Sequence, residues 1–160
     1  MSILQTVIRR CRDLLAHPLL GIPLALVAVA LCAPSLKAGW FLDDHLHRAA
    51  LTAPESLPES ARSPLDLFAF AGEGRPQRAD FFPWWAEDDL LLAFFRPVSG
   101  LSHGLDYWLW PDEPMWMHLH SLVWWGLCVL AAAVLFRRLA PPDAPWIGGL
   151  ALLLFAIDDS

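Results

Sequence analysis

The stretch WMHLHSLVWWGLCVLAAAVLF, Trp116 to Phe136, decides the fold class of this chain: twenty-one residues without a formal charge, followed at once by Arg137 and Arg138. A run of that length and polarity reads as a full transmembrane helix. Upstream, Pro18 to Leu36 (PLLGIPLALVAVALCAPSL) is a second uncharged block, nineteen residues and about 28 Å as a helix. Arg9, Arg10 and Arg12 precede it as they would a signal peptide, but Leu31 and Leu36 stand at −3 where cleavage wants a small residue. The block is therefore expected to be retained as a span. Downstream, residues 144–160 form a third, truncated span whose apolar part, Ala144 to Ile157, is about 21 Å as a helix and ends in Asp158 and Asp159. Such an ending marks the chain as the expected N-terminal piece of a longer protein.

The composition agrees with a lipid environment. Hydrophobic residues make up 56% of the chain, and nine tryptophans stand against a single tyrosine. A formal charge of −6 excludes nucleic acid as a partner, because phosphate backbones are met by clustered Lys and Arg. Cys11, Cys32 and Cys128 lie far apart without a CxxC pair and read as small apolar fillers, not as a zinc site or disulfide framework.

The basic residues give the orientation. Three arginines precede the first span and two follow the second, whereas residues 37–115 carry six Lys plus Arg against thirteen Asp plus Glu. The positive-inside rule then makes residues 1–17 and the turn 137–143 cytoplasmic and the 37–115 loop extracytoplasmic. The expected architecture is an all-α membrane protein: transmembrane helices at 18–36, 116–136 and 144–160, joined by a long, partly helical extracytoplasmic loop. In that loop Thr52 to Pro64 reads as a connector, Leu65 to Ala71 as a short helix and Gly72 to Pro83 as a turn region. Residues 97–110 have a proline in the first turn, with Val98, Leu101, Leu105, Trp108 and Leu109 at spacings of three and four. That predicts an amphipathic helix along the membrane surface, with Trp84, Trp85, Trp108, Trp110 and Trp116 at headgroup level.

Several residues in this frame carry chemistry. Asp43 and Asp44 follow the first span directly, in GWFLDDHLHR; partial burial and a like-charged neighbour tune such carboxylates for proton transfer, while the plainer role is a solvated helix end. Arg96, in FFRPVS, stands just before a helix start, where a guanidinium and a helix N-terminus together favour a phosphate; an interfacial cation with its stem in the apolar layer has the same sequence. His103 and Asp106 are neighbours on one helical face. His118 and His120 open the second span, where ionisable groups are functional candidates, yet at a spacing of two they point nearly opposite ways. A metal site would need recruits from His45, His47 or His103; no ligand spacing is diagnostic of one, and neither a metal nor a cofactor is expected.

Taken in order, FLDDHLHRA after a first span, LAFFRPVSGLSHGLDYWLWPDEP at the end of a long loop, then MHLHSLVWWGLCVLAAAVLFRRL and LALLLFAIDDS, the chain resembles the N-terminal part of bacterial membrane enzymes with the C-type glycosyltransferase (GT-C) fold, relatives of the protein O-mannosyltransferases. The resemblance implies transfer of a sugar from a polyprenyl-phosphate donor to an extracytoplasmic acceptor hydroxyl, in a multi-pass protein of the bacterial cytoplasmic membrane. Its partners would be the bilayer, the lipid-linked donor and the acceptor. The family's acidic loop motif maps onto Asp43 and Asp44, one of them the general base; its Tyr-Arg-Pro-Leu-like segment maps onto Phe95-Arg96-Pro97-Val98, and its His at the next span onto His118. Substrate contacts would come from Arg96, His103, His118, Asp158 and Asp159. Ser121 stands where many relatives have asparagine, and Asp158-Asp159 where they have His-Pro. Two other classes compete: a non-catalytic membrane protein whose loop is an interaction module, and a histidine-based metal or haem carrier.

Overall fold

A computed structural model describes residues 2–41, 43–53, 65, 67–71, 87 and 90–158. These are mostly helical and divide into two compact units, Met1–Ser35 with His118–Ser160, and Leu36–Met117.

The first unit holds α1 (Ile3–Leu15), α2 (Gly21–Cys32), most of α5 (Pro114–Leu139) and α6 (Trp146–Ile157). In α1 Ser2 and Gln5 form a reciprocal cap: the Ser2 hydroxyl accepts from the Gln5 N–H at 3.4 Å, and the Ser2 N–H donates to Gln5 Oε1 at 3.3 Å. Residues 1–17, expected as a cytoplasmic segment with no secondary structure assigned, hold the helix Ile3–Leu15. The helix α2 is shorter than the 18–36 span read from sequence, with a 3-10 turn (Ala33–Lys37) replacing its last part. Pro34 explains the change: it has no N–H to continue the α-helical ladder, and its ring opposes the carbonyl four residues back. Pro23, by contrast, lies in the first turn, where no N–H is needed.

One helix, α5, is long and apolar enough to cross a membrane; Gly21–Lys37 and Trp146–Ile157 are shorter apolar helices. α5 has 26 residues, and only 11% of its most apolar window is buried. The core helix of a water-soluble protein would be covered along that window. Here Val123, Trp124, Leu127, Val134 and Leu135 are all exposed. Trp124 turns its indole N–H back to His120 Nε2 at 2.9 Å, so part of the polarity on this face is satisfied within the helix.

The core of the unit is built from small side chains: Ala28 and Val129 are fully buried, with Leu24, Ala25, Leu152 and Ala156 around them. Close approach needs glycine at the contacts. A Cβ on Gly21 would meet the Ala133 Cβ at 2.7 Å, and one on Gly148 the Phe136 carbonyl oxygen at 2.7 Å. Small residues at contacts suit helices that associate through packing where lipid removes the hydrophobic drive. The tightest contact is at Gly149, whose Cβ would overlap the backbone carbonyl of Leu15. Gly149→Val is expected to destabilise the unit by at least about 1–3 kcal/mol, since neither helix backbone can yield. Trypsin should then cut faster at Arg9, Arg10 and Arg12. In α4 of the second unit, Gly104 has nothing within 4 Å, so Gly104→Ala serves as the silent control.

The second unit holds α3 (Asp43–Thr52), β1 (Ala69–Ala71), β2 (Leu92–Ala93) and α4 (Pro97–Leu109). Where a short helix is expected at 65–71, the segment instead ends in β1, paired antiparallel with β2 in the register Ala69 to Ala93, with an irregularity before Ala71. The Phe94 N–H extends the ladder to the Phe68 carbonyl at 3.0 Å. Seven residues are too few for a stable isolated helix, and Phe68 and Phe70 alternate with period two as a strand requires. The helix expected at 97–110 is present as α4, started by Pro97 and stopped before Pro111. Its burial runs opposite to its hydropathy. Gly100, Asp106 and Tyr107 are buried, whereas Val98, Leu101, Leu105 and Trp108 are exposed, Trp108 by 78%. Most of Thr52 to Pro64, all of Gly72 to Pro83, and Trp84 and Trp85 lie outside the described residues.

Candidate functional site

Gly39, at φ +67°, turns the chain in the left-handed region where a side chain is disfavoured. Trp40 and Phe41 follow, and α3 opens on Asp43 and Asp44. Asp44 is committed to this junction. Its carboxylate accepts the Phe41 N–H at 2.9 Å, its own N–H donates to the Phe41 carbonyl at 2.9 Å, and its carbonyl accepts the Tyr107 hydroxyl at 3.0 Å. Asp43 sits in the same first turn and is exposed.

The start of α3 therefore meets the end of α4. Trp40 and Tyr107 stack with centroids 5.6 Å apart and planes 10° from parallel. The Arg48 guanidinium lies 5.4 Å from the Trp40 ring centroid and pairs with Asp112 just beyond α4. Burial, with Asp44 and Asp106 nearby and only Arg48 opposing, pushes the Tyr107 hydroxyl well above its ordinary range. It stays a proton donor to the Asp44 backbone at any physiological pH.

Further along the helix pair is His47, 4% exposed. Its ring meets Phe68 edge-on at 4.9 Å, His103 at 5.3 Å and Phe70 at 5.9 Å. Neither ring nitrogen has a hydrogen-bond partner among the described residues. Burial lowers the His47 pKa, the charge of His103 lowers it further, and Asp43 and Asp44 oppose the shift. The sign follows by linkage. Above about pH 6.5 both folded and unfolded states hold a neutral ring; below it the unfolded state takes the proton first, so stability falls as pH falls. The protection factors of α3 amides, observed exchange referred to the intrinsic rate at each pH, are expected to fall between pH 7 and the lowered folded value, by at most about 1.4 kcal/mol of opening free energy per pH unit. His47→Leu should remove that dependence.

The other residues singled out from sequence are dispersed. His103 joins the His47 cluster through Phe68, 5.8 Å away. Arg96 stands at the opposite end of α4 from Tyr107, its guanidinium 5.4 Å over Phe68 and 5.1 Å over Phe94. The cation recorded beside the start of α3 is Arg48, over Trp40. His118 and Asp158 belong to the first unit, with Asp158 closing α6, and Asp159 lies outside the described residues. Among the described residues no group of three His, Cys, Asp or Glu side chains could hold a metal ion. Trp40, Arg48 and Tyr107 have no role in the sequence reading, and His47 enters it only as a recruit to a metal site. One signal was there: Asp43 with His47, and Asp44 with Arg48, are two i, i+4 pairs on α3. Comparison of the chain with family models, with curated proteins and with solved structures gives no match.

Proposed function

We propose that this chain is the N-terminal portion of a multi-pass bacterial membrane glycosyltransferase of the GT-C type. It would move a sugar from a polyprenyl phosphate to an acceptor hydroxyl on the outer side of the cytoplasmic membrane. Asp43 takes the acceptor proton, Asp44 holds the loop that presents it, and Arg48 faces the departing phosphate. The carrying observation is the division of labour between adjacent acids: one carboxylate is spent on the Phe41 N–H while its neighbour stays exposed, with the Arg48 guanidinium over Trp40 later on the same helix.

The chemistry requires a base for the hydroxyl and a cation for a leaving group that already carries its charge. The membrane setting is supported by the 26-residue helix α5 with its uncovered apolar surface, and by the exposed apolar stripe of α4. In this reading Arg96, with exposed Phe94 and Phe95 beside it, is an interfacial cation more than a catalytic one.

The test is transfer of labelled sugar from a polyprenyl-phosphate pool in membranes carrying the whole gene product, against membranes lacking it. A non-catalytic role is the second reading, favoured by the Arg48–Asp112 pair, which already neutralises the cation. It requires that the two membranes behave alike across the sugars tried.

A further inference from the structure

We propose that α1 is a membrane-surface helix whose partner is the anionic headgroup layer of the bilayer. The inference rests on α5 crossing a membrane, as proposed above. At 100° per residue, Ile3, Leu4, Val7, Ile8 and Leu14 fall on one side of α1 with Cys11, while Arg9, Arg10 and Arg12 share the opposite side with Gln5, Thr6 and Asp13. No residue of α1 is buried, and its apolar side is open, Ile3 being 86% exposed. A helix that separates its residues so completely and leaves its apolar side open is built for a boundary between two solvents.

The rest of the unit says where that boundary lies. The Arg12 guanidinium is 4.9 Å from the Trp146 ring centroid, so the C-terminal end of α1 is held at the start of α6. Leu15 is locked there by the contact with Gly149. Arg137, in the last turn of α5 beside Arg138, donates to the Pro18 carbonyl at 3.3 Å, between α1 and α2. One end of the unit thus gathers arginines and a tryptophan, the residues that mark a headgroup level. Anchored there, α1 can set its apolar side into the acyl boundary and its arginines among phosphates. Each arginine near an anionic surface adds about 1 kcal/mol, or roughly fivefold in the bound population.

The whole chain, with Cys32→Ser and Cys128→Ser, carries a spin label on Cys11. Thr6→Cys and Leu127→Cys, each in a Cys11→Ser background, place the label on the polar side of α1 and on α5. Collision with oxygen and with a water-soluble nickel complex is measured in phosphatidylcholine vesicles, with and without phosphatidylglycerol. The Cys11 label is expected to become oxygen-accessible and nickel-protected with phosphatidylglycerol, the Thr6→Cys label to stay in water, and Arg9→Gln with Arg10→Gln to cut the bound population by more than about tenfold. A Cys11 label in water beside a lipid-buried Leu127→Cys label overturns the proposal while sparing the span. A Leu127→Cys label in water overturns both. Equal burial without phosphatidylglycerol removes the headgroup as partner, and protection that varies with the protein-to-lipid ratio points to a second copy instead.

Discussion

Membranes carrying Asp43→Asn are expected to transfer sugar roughly 10²- to 10⁴-fold more slowly than wild type, the range general-base catalysis supplies. The amide keeps the shape of the side chain and removes its capacity to take a proton. Because Asp43 is exposed at the first turn of α3, the fold should be indifferent to the change, and protein level and trypsin pattern should match wild type. Asp44→Asn provides the contrast. Its carboxylate serves the Phe41 N–H, and an asparagine oxygen accepts that hydrogen bond as well. Most of the activity should survive there. Reversal of the two outcomes would exchange the roles assigned to the acids, and equal activity in both variants would end the base mechanism.

Arg48→Gln is the second large effect expected, about 10²- to 10³-fold in turnover, comparable to removing one group that stabilises developing charge. Lysine should restore only part, because a point charge cannot reproduce a planar fork stacked on Trp40. Stability gives the control, since the pair with Asp112 is well exposed and such pairs contribute about 0–1 kcal/mol. Thermal unfolding unchanged beside lost turnover assigns the guanidinium to chemistry. Parallel losses would make it a structural clasp between α3 and the segment after α4.

How far these features were legible varies with how local their causes are. The helix α5 and its two terminal arginines could be read directly, because an uncharged run of that length has few alternatives. So could α4, whose proline start and period of three and four are contained in its own residues. Pro34 is visible in the sequence, but the hydropathy of an apolar block carries no trace of a missing N–H. In α1 the two-sided pattern and the Ser2–Gln5 cap are local, but arginines before an apolar block mark topology equally well.

The site divides in the same way. Asp43 and Asp44 stand out as a pair, but what separates their roles is the Phe41 N–H and the Tyr107 hydroxyl, the latter from 63 positions away. Nothing local announces that Tyr107 returns to stack on Trp40, or that Arg96 lies over Phe68. Those relations exist only once β1 and β2 pair and α4 lies against α3.

The reversed polarity of α4 bears on biogenesis. Pairing of α3 with α4 covers glycine, aspartate, histidine and tyrosine and leaves Val98, Leu101, Leu105 and Trp108 outside, so the pairing alone gathers little hydrophobic drive. In water these two helices have small reason to find each other. If the stripe is covered by the bilayer, insertion comes first: adsorption of α4 flattens it onto a plane, reduces the search to two dimensions and turns its polar side toward α3. Maturation of the loop would then follow the chemistry of the surrounding lipid, and a cell that altered its lipids would alter how much of the protein is competent.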